Sequence, residues 1–254
     1  DVDKCSSASG YPPIMHLPQA VGINIANIFG GSTGLTILFG RLANLIFYSF
    51  ALYFIIKWVR VGKWVFVVIG LIPLMVHMAA SLSSDCVTNV AVFVITALTL
   101  NLFTQKNALS NKQIAALVCT GILLTLTKSI NALLLFPLIF LPKHLFAANK
   151  NKNIPFNIQK WAILIMIGVA AIISLLIWQK IFGQPLLTTG ATHNPLHSNP
   201  LKFIQILFNT YMNPTIGYTD IVLRGSVGDF SSFKYHLPLF VLIPLFSLLF
   251  LSLL

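Results

Sequence analysis

An all-α, polytopic bundle of transmembrane helices is the fold class that this sequence predicts, on three observations. The chain is 57% hydrophobic and only 8% charged, with a mean hydropathy of +0.87. Its apolar runs approach the ~20 residues that a helix needs to cross a hydrocarbon core about 30 Å thick. Those runs are continuously apolar rather than alternating, which excludes a membrane barrel. The formal charge of +11 does not indicate nucleic-acid binding, because the basic residues sit in short loops between apolar runs rather than along one folded stripe.

Residues 35–56 form the first span and lead to a basic turn with Lys57, Arg60 and Lys63. Residues 65–82 return, "SSDC" turns the chain, and 87–103 cross again. A loop with Lys106 and Lys112 precedes two short runs, 114–126 and 130–141, which are separated by "TKS". A third basic loop, with Lys143, Lys150, Lys152 and Lys160, leads to a span over 161–181. A polar loop over 184–235 precedes the last apolar run. No internal repeat or second domain is visible, so residues 1–254 read as one transmembrane domain. The start without an initiator Met and the end within an apolar run predict a fragment of a longer protein.

Placing the three basic loops in the cytoplasm satisfies the positive-inside rule. All five acids, Asp1, Asp3, Asp85, Asp220 and Asp229, then fall on the opposite side. Acids barely influence orientation, so their grouping marks the outer face as the place for chemistry. The same topology requires residues 14–30 to begin and end outside. His16, Gln19, Asn24 and Asn27 cover an arc of roughly 140° at about 100° per residue, with aliphatics opposite. That pattern predicts a helix lying in the outer interface, with a short tilted span as the alternative. The runs on either side of Lys128 would each reach only about 20 Å as α-helices. Lys128 therefore lies below the usual outer surface, facing a cavity or partner, or snorkels to headgroups.

"YPPIMHLPQAVGINIANIFGG", "LFGRLANLIFYSFALYFIIKWV", "LIPLMVHMAASLSSDCVTN" and the later "LRGSVGDFSSFKYHLP" resemble, in order and spacing, the bacterial membrane-protein family catalogued as domain of unknown function 2142. That family in turn resembles the GT-C membrane glycosyltransferases. The resemblance implies a proline-led juxtamembrane helix entered at Tyr11, Pro12 and Pro13. It also implies an outer Arg41, with Asp85 and Lys128 on the outer turns. GT-C enzymes carry their principal acid in the first outer loop, and the resemblance places that acid before residue 1.

Each candidate residue has two readings. Asp85 could position an acceptor, or hold a divalent metal that bridges phosphates, or simply cap the helix that begins at Cys86 or Val87. Arg41 offers a bidentate phosphate contact, or anchors headgroups or pairs structurally with an aspartate. Lys128 offers the same with less geometric selectivity. His16 could be a ligand or base, or an interfacial side chain. His77 hydrogen-bonds within the bundle. His193 and His197 are separated by Pro195, which breaks the helix that would align them, so zinc is not expected. Cys5 and Cys86 fall on the same side and could pair.

The function expected is transfer of a sugar from a polyprenyl-phosphate-linked donor to an outer-face acceptor. It would serve envelope polysaccharide assembly in a bacterial inner membrane, with Arg41, Lys128, Tyr11 and His16 at the donor. The alternative is a non-catalytic transporter or flippase of a lipid-linked glycan.

Overall fold

The computed structural model describes residues 12–146, 156–182, 205, 208–209, 229–230, 235–236 and 239–253. Tyr11, Cys5, His193, His197 and most of the expected 184–235 loop lie outside them. The described residues are helical apart from a two-residue antiparallel ladder, Asp229–Phe230 with Tyr235–His236, at the end of that loop.

A 3-10 turn, Pro13–His16, leads into α1, Leu17–Ile28. Gly30, at φ 67°, ends α1 in a Schellman closure. Its N–H donates to Asn27 O, and that of Gly31 donates to Ala26 O, which satisfies carbonyls the helix leaves open. The chain then reverses into α2, Thr33–Trp58. α1 packs back along the first half of α2, with Asn27 beside Thr36 and Ile23 beside Gly40. Gly22 makes this contact close: a Cβ there would lie 2.3 Å from Phe39 O and 2.7 Å from Ala43 Cβ. Small residues that let two backbones approach are a recurrent device of membrane helix pairs.

The expected polar arc of α1 divides. Gln19 turns into the bundle, whereas Asn24 and Asn27 are exposed. Leu17, Val21, Ile25 and Ile28 form an outward apolar stripe.

The expected continuous span 65–82 is interrupted. α3, Lys63–Gly70, and α4, Pro73–Ala79, are separate helices. Pro73 lacks an N–H and biases Ile72 away from the helical region, and Ile72 adopts φ −54°, ψ 133°. The carbonyl of Gly70, left open by the break, accepts a 2.8 Å hydrogen bond from the buried Tyr48 hydroxyl of α2. A neighbouring side chain thus makes the interruption tolerable inside an apolar bundle.

α5, Asp85–Phe103, is the central helix: 67% of its apolar window is buried, against 22% for α2. One face packs on Tyr48, Leu52, Ile55 and Phe66. Another packs on Leu117, Leu124 and Leu138. α6, Asn111–Thr127, opens on a capping box between Ser110 and Gln113, which satisfies two open donors reciprocally. It ends at Lys128, whose backbone is extended.

The following 12 residues, Ser129–Phe140, form a 3-10 helix where an α-helix was expected. At ~2.0 Å per residue a 3-10 segment of this length reaches about 24 Å, against about 18 Å for an α-helix. A 3-10 turn, Lys143–Phe146, and α7, Phe156–Phe182, follow. α7 is more peripheral: it packs on the core through Ile167 and its neighbours, and only 11% of its window is buried. α8, Leu239–Leu253, completes the described chain and packs on α3. α2, α5 and residues 158–178 of α7 are long and apolar enough to cross a membrane.

Candidate functional site at the α4–α5 turn

Polar side chains from three helices converge on the turn between α4 and α5. Arg41 Nε, from α2, donates to Ala80 O at 2.8 Å. Among the described residues its terminal guanidinium nitrogens make no hydrogen bond. One turn further along α2, Asn44 is 1% exposed. Its Nδ2 donates to Ser81 O at 2.7 Å and to Gln19 Oε1 at 3.1 Å. Gln19 in turn hydrogen-bonds His16 through Nε2 and Nδ1. The turn is braced internally as well, since Ser81 Oγ donates to Met78 O at 2.7 Å and meets Ser83 Oγ at 2.7 Å.

Asp85 is the first helical residue of α5, and Ser84 occupies the cap position. The capping reading therefore does not hold. The N–H of Asp85 donates to Ser83 Oγ at 3.2 Å, while its carboxylate reaches across to α6 and meets Lys128 Nζ at 3.2 Å. This is the only ion pair among the described residues. Both partners reach solvent, at 45% side-chain exposure for Lys128 and 26% for Asp85. Beside the pair, Asn131 Nδ2 donates to Thr127 Oγ1 at 2.9 Å.

The structure thus brings Arg41, Asp85 and Lys128 to one end of the bundle, as expected from sequence. His16 is tied to Gln19, and Tyr11 is outside the described residues. Cys86 is a free, buried thiol that donates to Asn44 O at 3.3 Å, facing the bundle interior. One oxygen of Asp85, the residue considered for a divalent ion, is held by the Lys128 ammonium. No group of three His, Cys, Asp or Glu side chains suits a metal among the described residues.

Two residues near this end were not singled out from sequence: Asn44 and Asn89. Asn44 stands three positions after Arg41, a spacing that places both on one helix face. Asn89 lies one turn below Asp85, and its Nδ2 is buried without a partner among the described residues. Asn44 Oδ1 is buried and unpaired in the same way.

Helices of this length and apolarity, with lysine-rich connections at one end, define a multi-pass integral membrane protein. The chain belongs to the family described as Predicted membrane protein (DUF2142), whose profile matches residues 1–254. No curated protein and no solved structure matches it.

Proposed function

We propose that this chain is a GT-C-like glycosyltransferase that moves a sugar from a polyprenyl-phosphate donor to an acceptor at the outer face of a bacterial inner membrane. The observation that carries the reading is the convergence at the α4–α5 turn. Arg41 holds the Ala80 carbonyl on the α4 side of this turn, and on the α5 side Asp85, the one carboxylate in the described helices, pairs with Lys128.

In the reaction the bond between the sugar's anomeric carbon and the donor phosphate oxygen breaks. A bond to the acceptor oxygen forms, and the acceptor proton passes to a carboxylate. Negative charge grows on the departing polyprenyl phosphate. Arg41, with its terminal nitrogens unspent, and Lys128 supply preorganised positive charge there. Asp85 holds Lys128 in place and orients the acceptor, and it shares general-base work with the acid that the GT-C resemblance places before residue 1. In this reading residues 14–30 stay at the outer face, with α1, packed along the first half of α2, bordering the site.

The interrupted α3–α4 favours a second reading, because discontinuous helices are common in transporters. In that case the same cations would line a headgroup path for a lipid-linked glycan.

Asp85→Asn separates the function from the fold. In the full-length protein, complementing a deletion strain, it should lower glycan transfer at least tenfold while membrane protein level stays within twofold of wild type. A normal envelope glycan profile at normal protein level would sink the proposal. Loss of lipid-linked glycan translocation with in vitro transfer intact would favour the transporter.

A further inference from the structure

We propose that the groove between α3, α5 and α8 binds an anionic phospholipid, with an acyl chain along α5 and the phosphate at Lys63, at the end of the bundle opposite Asp85. The groove has a volume of about 640 Å³, within the roughly 300–1,000 Å³ range of small-molecule pockets. Its α5 wall is Asn89, Val92, Phe93, Thr96 and Leu100. That spacing selects one helix face, and the helix rises about 16 Å from Asn89 to Leu100. The apolar wall therefore extends lengthwise along α5.

The wall is more apolar than its composition suggests. The hydroxyl of Thr96 donates to Val92 O at 2.8 Å, and that of Ser252 donates to Leu249 O at 2.7 Å. Both are satisfied by their own helices, so neither demands a polar ligand. Polarity is left at the two ends only. Asn89 marks the far end, while Lys63 stands at the mouth, exposed and in no ion pair among the described residues.

A lengthwise apolar wall with one unneutralised ammonium at its mouth fits a lipid carrying an anionic headgroup. The surroundings of the mouth agree with this. Trp64, 72% exposed, lines the same groove and is of the residue type that seats itself at headgroup level. Arg60 and Lys106 line a polar cavity against the same 60–64 turn. This extends the basic surface available to a phosphate. The groove meets the Asp85 end only at Asn89, and its mouth at Lys63 lies apart from Arg41, Asp85 and Lys128, the residues proposed for transfer.

The test uses Trp64 as the reporter. The chain has four tryptophans, and Trp58→Phe, Trp161→Phe and Trp178→Phe together leave Trp64 alone. Detergent-solubilised protein is titrated with phosphatidylglycerol or phosphatidylcholine carrying brominated chains, which quench on contact. Phosphatidylglycerol should quench at a mole fraction at least fivefold lower. Lys63→Gln should bring the two lipids within twofold, Val92→Phe should weaken quenching by both, and free inorganic phosphate should change nothing. Native mass spectrometry of the unsubstituted protein serves as a second measurement that needs no tryptophan replacement. There, one phosphatidylglycerol should be retained and then lost in Lys63→Gln. Equal quenching by the two lipids, or a preference that survives Lys63→Gln, overturns the proposal. So does absence of quenching by either, which would mean that protein covers the groove.

Discussion

Asn44 and Asn101 are both buried asparagines that tie a helix to a neighbouring turn, but they sit at opposite ends of the bundle. Asn101 is fully used: its Oδ1 accepts from Arg60 N–H at 2.8 Å, and its Nδ2 donates to Trp58 O at 3.2 Å. Around it Gln105, Ser110 and Gln113 close a local network. Asn44 donates twice, yet its Oδ1 stays buried and unpaired. The Arg41 terminal nitrogens, three positions earlier on the same helix, make no hydrogen bond among the described residues either. Structural polar networks saturate themselves, because each buried unpaired group costs free energy. Unspent capacity gathered near one turn is the mark of a place that awaits a ligand. The lysine-rich end saturates its buried asparagine, and the Asp85 end leaves Asn44 Oδ1 open, which is the difference the proposed function draws on.

The largest effect should come from removing α1, which serves only the Asp85 end. Gly22→Leu places atoms against the Phe39 carbonyl, and backbone cannot yield as a side chain would. Overpacking of this kind costs about 3 kcal/mol. It should show as a lower thermal midpoint of the purified protein, together with loss of transfer. Gly34→Ala meets nothing within 4 Å and should leave both near wild type. An unchanged midpoint in Gly22→Leu would mean that α1 does not pack here.

The two asparagines give the matched comparison. Asn44→Ala and Asn101→Ala should each cost about 2 kcal/mol, the penalty of leaving buried partners unpaired. Per folded molecule, however, only Asn44→Ala should lose transfer, since it frees the turn that carries Asp85. Equal activity per folded molecule in the two variants would erase the distinction drawn between the ends. A smaller effect is expected at the lysine-rich end. Ser110→Ala removes half of the capping box and should cost about 1 kcal/mol with transfer intact.

Much of the architecture was legible from the chain. Continuous apolarity located α2, α5 and α7 to within a few residues, because membrane helices must satisfy their backbone internally. The grouping of the acids drew attention to the turn at Asp85, and the expected topology put Lys128 at the same end, where the two pair. The interruption before Pro73 was written as Ile-Pro but was masked by the surrounding apolar run. The 3-10 course of Ser129–Phe140 left no mark, since apolarity there is uniform. The inward turn of Gln19 was obscured by the polar arc that included it, because its partner Asn44 is 25 positions away. The partners of Asp85 and Arg41 lie 43 and 39 positions away, beyond the reach of local pattern.

The central claim is that Asp85 and Lys128 are placed for chemistry rather than for holding α5 to α6. An exposed pair contributes only about 0–1 kcal/mol, so a purely structural role would be weak and indifferent to which side carries which sign. The double exchange Asp85→Lys with Lys128→Asp tests this directly, measured as glycan transfer per folded molecule. Our account predicts wild-type stability, with transfer still at least tenfold down, because the carboxylate and ammonium have changed places around the substrate. Recovery of wild-type transfer in the exchanged protein would contradict it and leave the pair a clamp.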